Sequence, residues 1–245
     1  MRCIAAAALC LLGLGQAQAA DSLDALRASL RGLPSSTPVT ATVERFVSSQ
    51  RKDRPLTEGR VVLDVNAGSS GLSIAYPPAL LAQLEAERAE LDPEKPRTAL
   101  NVLLGFDIAD IASLLNHAHA LLRDLEGARL IAESNTDWQG QKAQLLELDL
   151  VVRTSKADSK WIKSQRRSMK LWVTPEGLPL ASEDQQVVRV GFLFLNFDAT
   201  NQNNSRYLRA GDRLVVAQTT NRFEGEGLGE EQRTRSETSV RVPGL

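Results

Sequence analysis

Between residues 107 and 126 the chain reads DIADIASLLNHAHALLRDLE, the clearest amphipathic helix in a sequence that otherwise reads mostly as strands. Ile108, Ile111, Leu115, Ala118, Leu122 and Leu125 recur at steps of three and four and align along one side of a helix. Leu114 and Leu121 widen that stripe, while Asn116, Arg123 and Asp124 fall to the wet side. Asp107 is placed to cap the helix. Asp110 adds a carboxylate in the first turn, where free backbone N–H groups favour negative charge. A helix patterned this way needs an apolar surface to lie on. The remaining sequence predicts that surface to be a curved antiparallel sheet, and the space between sheet and helix is the candidate ligand site.

The strand pattern begins where Val39, Ala41, Val43 and Val47 alternate with Thr40, Thr42, Glu44 and Ser48. Arg45 falls on the apolar side, where its stem can pack while its head reaches water. Residues 58–65 and 71–76 form a hairpin around NAGSSG. Pro77 and Pro78 end the pattern, and a helical insertion runs over about residues 78–126, with Glu85, Glu87, Arg88 and Glu90 reading as a solvated face. Strands resume after Gly127. Leu146, Leu148 and Leu150 share one face of a strand at 142–153, and Met169 and Leu171 one face of a strand at 164–173. Residues 174–177 form a turn, and further strands cover 178–190, 212–223 and 231–242. Phe192, Phe194 and Phe197 read as core, and DATNQNNS at 198–205 as a polar loop. With a short leading helix at 22–31, this order predicts an α+β fold: a curved antiparallel β-sheet, a half-open barrel, with helices covering its concave apolar face.

The first nineteen residues read as a secretory signal: Arg2, an apolar run over residues 3–14, then Ala17, Gln18 and Ala19 as the cleavage site. That run is shorter than the roughly 20 residues needed to span a bilayer. Cys3 and Cys10 both lie inside it, so cleavage leaves no thiol, no disulfide and no cysteine-bound metal. Residues 20–245 are expected to form a single half-barrel domain, exported and soluble in the periplasm. Removing Arg2 from the 29 basic residues, against 30 acidic ones, leaves a net charge of −2, which argues against nucleic acid as a partner. An aromatic content of 4% argues against base-stacking platforms as well.

No motif for catalysis stands out. His117 and His119, the two histidines, point about 200° apart on a helix and cannot share a metal, and no cofactor is implied. SSGLS at 69–73 does not fit a nucleophile elbow. Gly225, Gly227 and Gly229 read as turn residues, and Glu147 and Asp149 as a solvated pair on one strand. A Ser–His–acid triad needs no adjacency in sequence and stays an open alternative.

In order, SLDALRASLRGL, TATVERF, the hairpin EGRVVLDV with GLSIAYPP, MKLWVTPEGLPL, and the closing DRLVVAQTTNRFEG and QRTRSETSVRV resemble the periplasmic lipoprotein-carrier superfamily of the LolA type. The resemblance implies a half-open β-barrel holding acyl chains beneath its helices, in a non-catalytic carrier or sensor. The long insertion departs from that pattern, and the superfamily's ligand-contacting positions do not map onto this chain one by one. The candidate groove residues are Ile108, Ile111, Leu115, Leu122, Leu146, Leu148, Leu150, Met169 and Leu171, and the candidate ligand is a lipid or lipoprotein acyl chain. The alternative is an interaction module for a periplasmic or membrane-associated protein partner. Exposure of Phe192, Phe194 and Phe197 would favour it.

Overall fold

The structure, a computed structural model, describes residues 14–92, 95–154, 160–192, 195–227 and 229–245. Three strands, β1 (Val39–Arg51), β2 (Thr57–Gly68) and β3 (Gly71–Ala75), form successive hairpins at one end of a sheet. From the other end β4 (Arg129–Trp138), β5 (Gln141–Leu150), β6 (Ile162–Val173), β7 (Pro179–Phe192), β8 (Leu195–Ala210), β9 (Arg213–Gly227) and β10 (Glu230–Arg241) meander back. Among the described pairings only β1 with β10 joins strands that are not consecutive, with Val43 opposite Val240. The result is one ten-stranded antiparallel sheet in the order β3-β2-β1-β10-β9-β8-β7-β6-β5-β4. It is not closed: β3 and β4 are its edges, and the architecture is the expected half-open sheet with helices.

Alternation sets which face is buried. Val43 lies opposite Leu63, Leu148 opposite Met169 and Leu146 opposite Leu171, so the apolar residues of neighbouring strands stack on one side. Leu63, Leu146 and Leu171 are fully buried there. The β6–β7 turn is closed by Thr174 N–H donating to the Leu178 carbonyl at 2.8 Å and Gly177 N–H to the Thr174 carbonyl at 2.8 Å. Gly177 sits at φ 80°, a left-handed conformation that a Cβ would strain.

Helix α1 (Leu14–Arg31) buries Leu23, Leu26 and Leu30. Four more helices connect β3 to β4: α2 (Pro78–Ala89), α3 (Thr98–Leu104), α4 (Ile108–Leu115) and α5 (His117–Asp124). Helix α3 lies on β2, α4 and α5 lie on β9, and α1 lies on α5 and β4. The expected signal segment falls mostly outside the described residues. Helix α1 continues through position 19. Among the described residues no single helix is long and apolar enough to cross a membrane.

Four expectations change. The helix at 107–126 is two helices, separated at Asn116 with φ −146° and ψ 66°. The Asn116 side-chain oxygen accepts a hydrogen bond from Ser35 Oγ, an anchorage outside the helix that competes with helical geometry. Residues 198–205 are not a loop but the middle of β8, where the inward polar side chains find cross-strand partners instead of water. Glu87 is no mere surface charge. Its carboxylate accepts from Ala99 N–H at 3.0 Å, Leu100 N–H at 2.9 Å and Thr98 Oγ1 at 3.1 Å, capping the start of α3 from the neighbouring helix. Finally, Phe197 is half-buried in β8 and lies outside the buried core, whereas the side chain of Phe192 and all of Phe194 lie outside the described residues.

Candidate functional site

The space between helices and sheet is bounded by side chains of both periods. Ile111 and Leu115 of α4 are buried, as are Leu146, Leu148 and Leu150 of β5 and Met169 and Leu171 of β6. Leu122 of α5 is half-buried against the same core. These eight residues belong to one continuous apolar cluster, which fills the space beneath the helices. Ile108 does not join it. Helices α3 and α4 meet at a 68° bend, and the first residue of α4 is left 65% exposed. Leu104, at the end of α3, is 83% exposed beside the same corner.

Toward β7, β8 and β9 the buried floor turns polar. The Tyr207 hydroxyl and Ser182 Oγ share a 2.6 Å hydrogen bond, Ser205 Oγ donates to Thr219 Oγ1 at 3.0 Å, and Thr219 Oγ1 donates to Asn203 Oδ1 at 2.7 Å. Asn221 Nδ2 donates to Asn201 Oδ1 at 2.7 Å. Burial pushes the Tyr207 hydroxyl up to about 12, because its anion has no water to solvate it. The His117 imidazole stacks on Tyr207 with ring centroids 5.2 Å apart and 24° between planes. Burial lowers its affinity for a proton; the charge of Asp124 and the Ser113 carbonyl offset this only in part. His119 faces solvent.

Beside this cluster Arg167, on the inward face of β6, joins sheet to helix. Its Nε donates to Asp184 of β7 at 2.9 Å, its Nη2 also reaches Asp184, and its Nη1 donates to Asp124 of α5 at 2.9 Å. Burial alone would lower the guanidinium's proton affinity, but hydrogen bonds to Asp184 and Asp124 outweigh it and hold the cation more firmly than in water. Residue spacing does not reveal this triad. Its only trace in the sequence is that Arg167 shares the alternating phase of Met169 and Leu171.

Farther back along the helical cover, Arg45 lies under the α3–α4 corner. Its guanidinium sits 4.6 Å from the centroid of the Phe106 ring, and it donates to the Gly105 carbonyl at 3.3 Å and to Thr238 Oγ1 at 3.4 Å. Burial lowers its proton affinity, and Asp110 acts in the opposite sense. The helical cover is therefore tied to the sheet by two arginines, one at the α3–α4 corner and one at the end of α5, with apolar packing between. Among the described residues the buried Nδ1 of His117 has no hydrogen-bond partner, so no serine or threonine hydroxyl meets it there. No group of three or more His, Asp or Glu side chains among them is arranged to hold a metal ion.

No protein-family model matches the chain, and no curated protein does. Among solved structures it is similar to a DUF1329 family protein from Desulfovibrio piger, at 13% identity and a TM-score of 0.32 over 93% of this chain and 94% of the other. It is similar to a LolA superfamily protein from Nitrosomonas europaea at 11% identity and a TM-score of 0.26, with 93% and 94% covered. It is also similar to MucB, solved in complex with MucA(peri), at 11% identity and a TM-score of 0.19, with 91% and 94% covered.

Proposed function

We propose that this chain is an exported, non-catalytic carrier or sensor that takes a lipid or lipoprotein acyl chain between the sheet and helices α3–α5. One observation carries the reading: the concave apolar face of an open sheet is covered by short, bent and interrupted helices, not by one continuous element. Each of α3, α4 and α5 spans at most eight residues. Helices of that length have little stability of their own and owe it to the surface they cover. An acyl chain offers Leu146, Leu148 and Leu171 of the sheet the same apolar contact that the helices now provide, so ligand and cover compete for one surface. The pattern of residues 1–19 supports export. The broken cover favours this reading over a plain structural core, for which one straight helix would serve.

Native mass spectrometry of the exported protein, purified without detergent, tests it. The expected result is a bound mass removed by lipid extraction, together with saturable uptake of a fluorescent fatty acid. Leu115→Asp, which places a charge in the apolar cover, should abolish that uptake. No bound lipid and no uptake under any condition would overturn the reading. Capture of a protein partner in place of lipid would favour the interaction module.

A further inference from the structure

The sheet face turned away from the helices also carries a cavity. About 410 Å³ of space is lined by residues of β4 to β8, with Glu147, Lys170, Glu183 and Gln202 among the outward side chains. A second space of about 320 Å³ is lined by Trp138 and Trp172. Glu183 and Asn204 line both, so the two form one trough. Its end wall comes from the β4–β5 hairpin. Pairing of β5 with β6 stops at Gln144 opposite Val173, so the hairpin tip with Trp138 overhangs the sheet. The Arg206 guanidinium of β8 lies 5.8 Å from the Trp138 ring centroid. On a flat sheet four strand spacings, roughly 19 Å, would separate β4 from β8, so the tip folds back over the outer face.

The lining selects a chemistry. Lys170 lies in register between Glu147 and Glu183, and Asp149 is already held by Arg129 at 2.7 Å. An anion entering the trough meets the two glutamates, and a cation meets Lys170 and Arg206. An alkyl chain finds too little apolar surface. A pyranose fits all three constraints: it is neutral, it shows one C–H face that packs on indole, and its hydroxyls each donate and accept. Glu183, Gln202 and Asn204 have no side-chain partner among the described residues. Planar amides and carboxylates are suited to adjacent hydroxyl pairs. We infer that this trough binds a neutral oligosaccharide, with the Trp138 and Trp172 indoles taking the ring face and Glu183, Gln202 and Asn204 taking the hydroxyls. The polar side chains invoked here lie on the face opposite the one that the lipid reading concerns.

The chain has three tryptophans, two of them in the trough, so Trp161→Phe leaves a protein whose fluorescence reports the site. Titration with maltohexaose, cellohexaose and chitohexaose, by fluorescence and by calorimetry, should give saturable binding of at least one. Trp172→Ala, and separately Glu183→Gln with Asn204→Ala, should each weaken it by about tenfold or more with the melting curve retained. The double variant removes only outward polar groups and keeps the test meaningful should Trp172→Ala fail to fold. The inference is overturned by calorimetry showing no saturable binding of any of the three up to about 10 mM. It is equally overturned by affinities that neither variant changes, or by tetralysine or inorganic phosphate binding in place of the sugars.

Discussion

Leu115 and Ile108 stand on one face of the same short helix, yet one is 1% exposed and the other 65%. Their truncations should differ accordingly. Leu115→Ala leaves a cavity in a packed cluster and should cost about 2–5 kcal/mol, while Ile108→Ala should stay within about 0.5 kcal/mol, as read by denaturant midpoints at constant m. The difference was not legible in the sequence, where both residues carry the same period; it comes from the bend between α3 and α4, a property of two elements together. His117 gives a second prediction. Burial holds its folded-state proton affinity below the ordinary 6.5, so the unfolded chain binds the extra proton first. Its contribution is intact above pH 6.5 and is lost as pH falls from there toward the lowered value. Asp124, Tyr207 and the Arg167–Asp184 pair face the ring or lie near it, and of these Asp124 supplies the opposing charge. Wild type should therefore lose stability as pH falls below about 6.5, and His117→Phe should flatten that dependence, as read by thermal melts across the range.

At the scale of elements, the capping of the helices decides where the cover begins and ends. Asp107 accepts from Asp110 N–H at 2.8 Å while Asp110 accepts from Asp107 N–H at 3.0 Å, a reciprocal box that satisfies two otherwise free donors. This cap was legible, because its two acids stand three apart before an apolar run. Asp107→Ala should cost about 1 kcal/mol, which for a chain of this size lowers the melting temperature by about 2–4 °C. The cap of α3 was not legible. Glu87 lies eleven residues before Thr98, and only the packing of α2 against α3 brings its carboxylate onto free N–H groups. Strand β8 failed for a related reason. Asn, Thr and Ser suggest a loop when water is their only partner, but between two long strands they pair with each other, as Asn201 does with Asn221 and Asn203 with Thr219.

For the whole molecule, the strands with clear alternation and the sheet's antiparallel sense were readable, because period two names the buried side and short turns leave little choice of neighbour. Which strands meet around the far side, β1 and β10, was not, since nothing local marks a pairing across most of the chain. Helix α1 shows how strongly the assembly depends on remote contacts. It buries Leu23, Leu26 and Leu30, and Arg27 Nη2 donates to the Leu125 carbonyl at 2.8 Å. Three leucines at about 1.5–3 kcal/mol each rival the roughly 5–15 kcal/mol that holds a whole domain. A chain lacking residues 22–31 should lose its cooperative thermal transition by circular dichroism and become protease-sensitive throughout, whereas one starting at Ala20 should keep both properties.

The two free edges of the sheet, β3 and β4, are also the two ends of the helical segment: the chain leaves one edge at Ala75 and arrives at the other at Arg129. The sheet is thus bent like a bow, and α2–α5 are its string. Slack and tension are then shared. Anything that wedges the string away from the wood must either draw the tips together or lengthen the string by straightening its bends at Gly105 and Asn116. The width of the mouth and the height of the helices are one mechanical coordinate, with Arg45 clamping the string at its Gly105 bend and Arg167 at the end of α5.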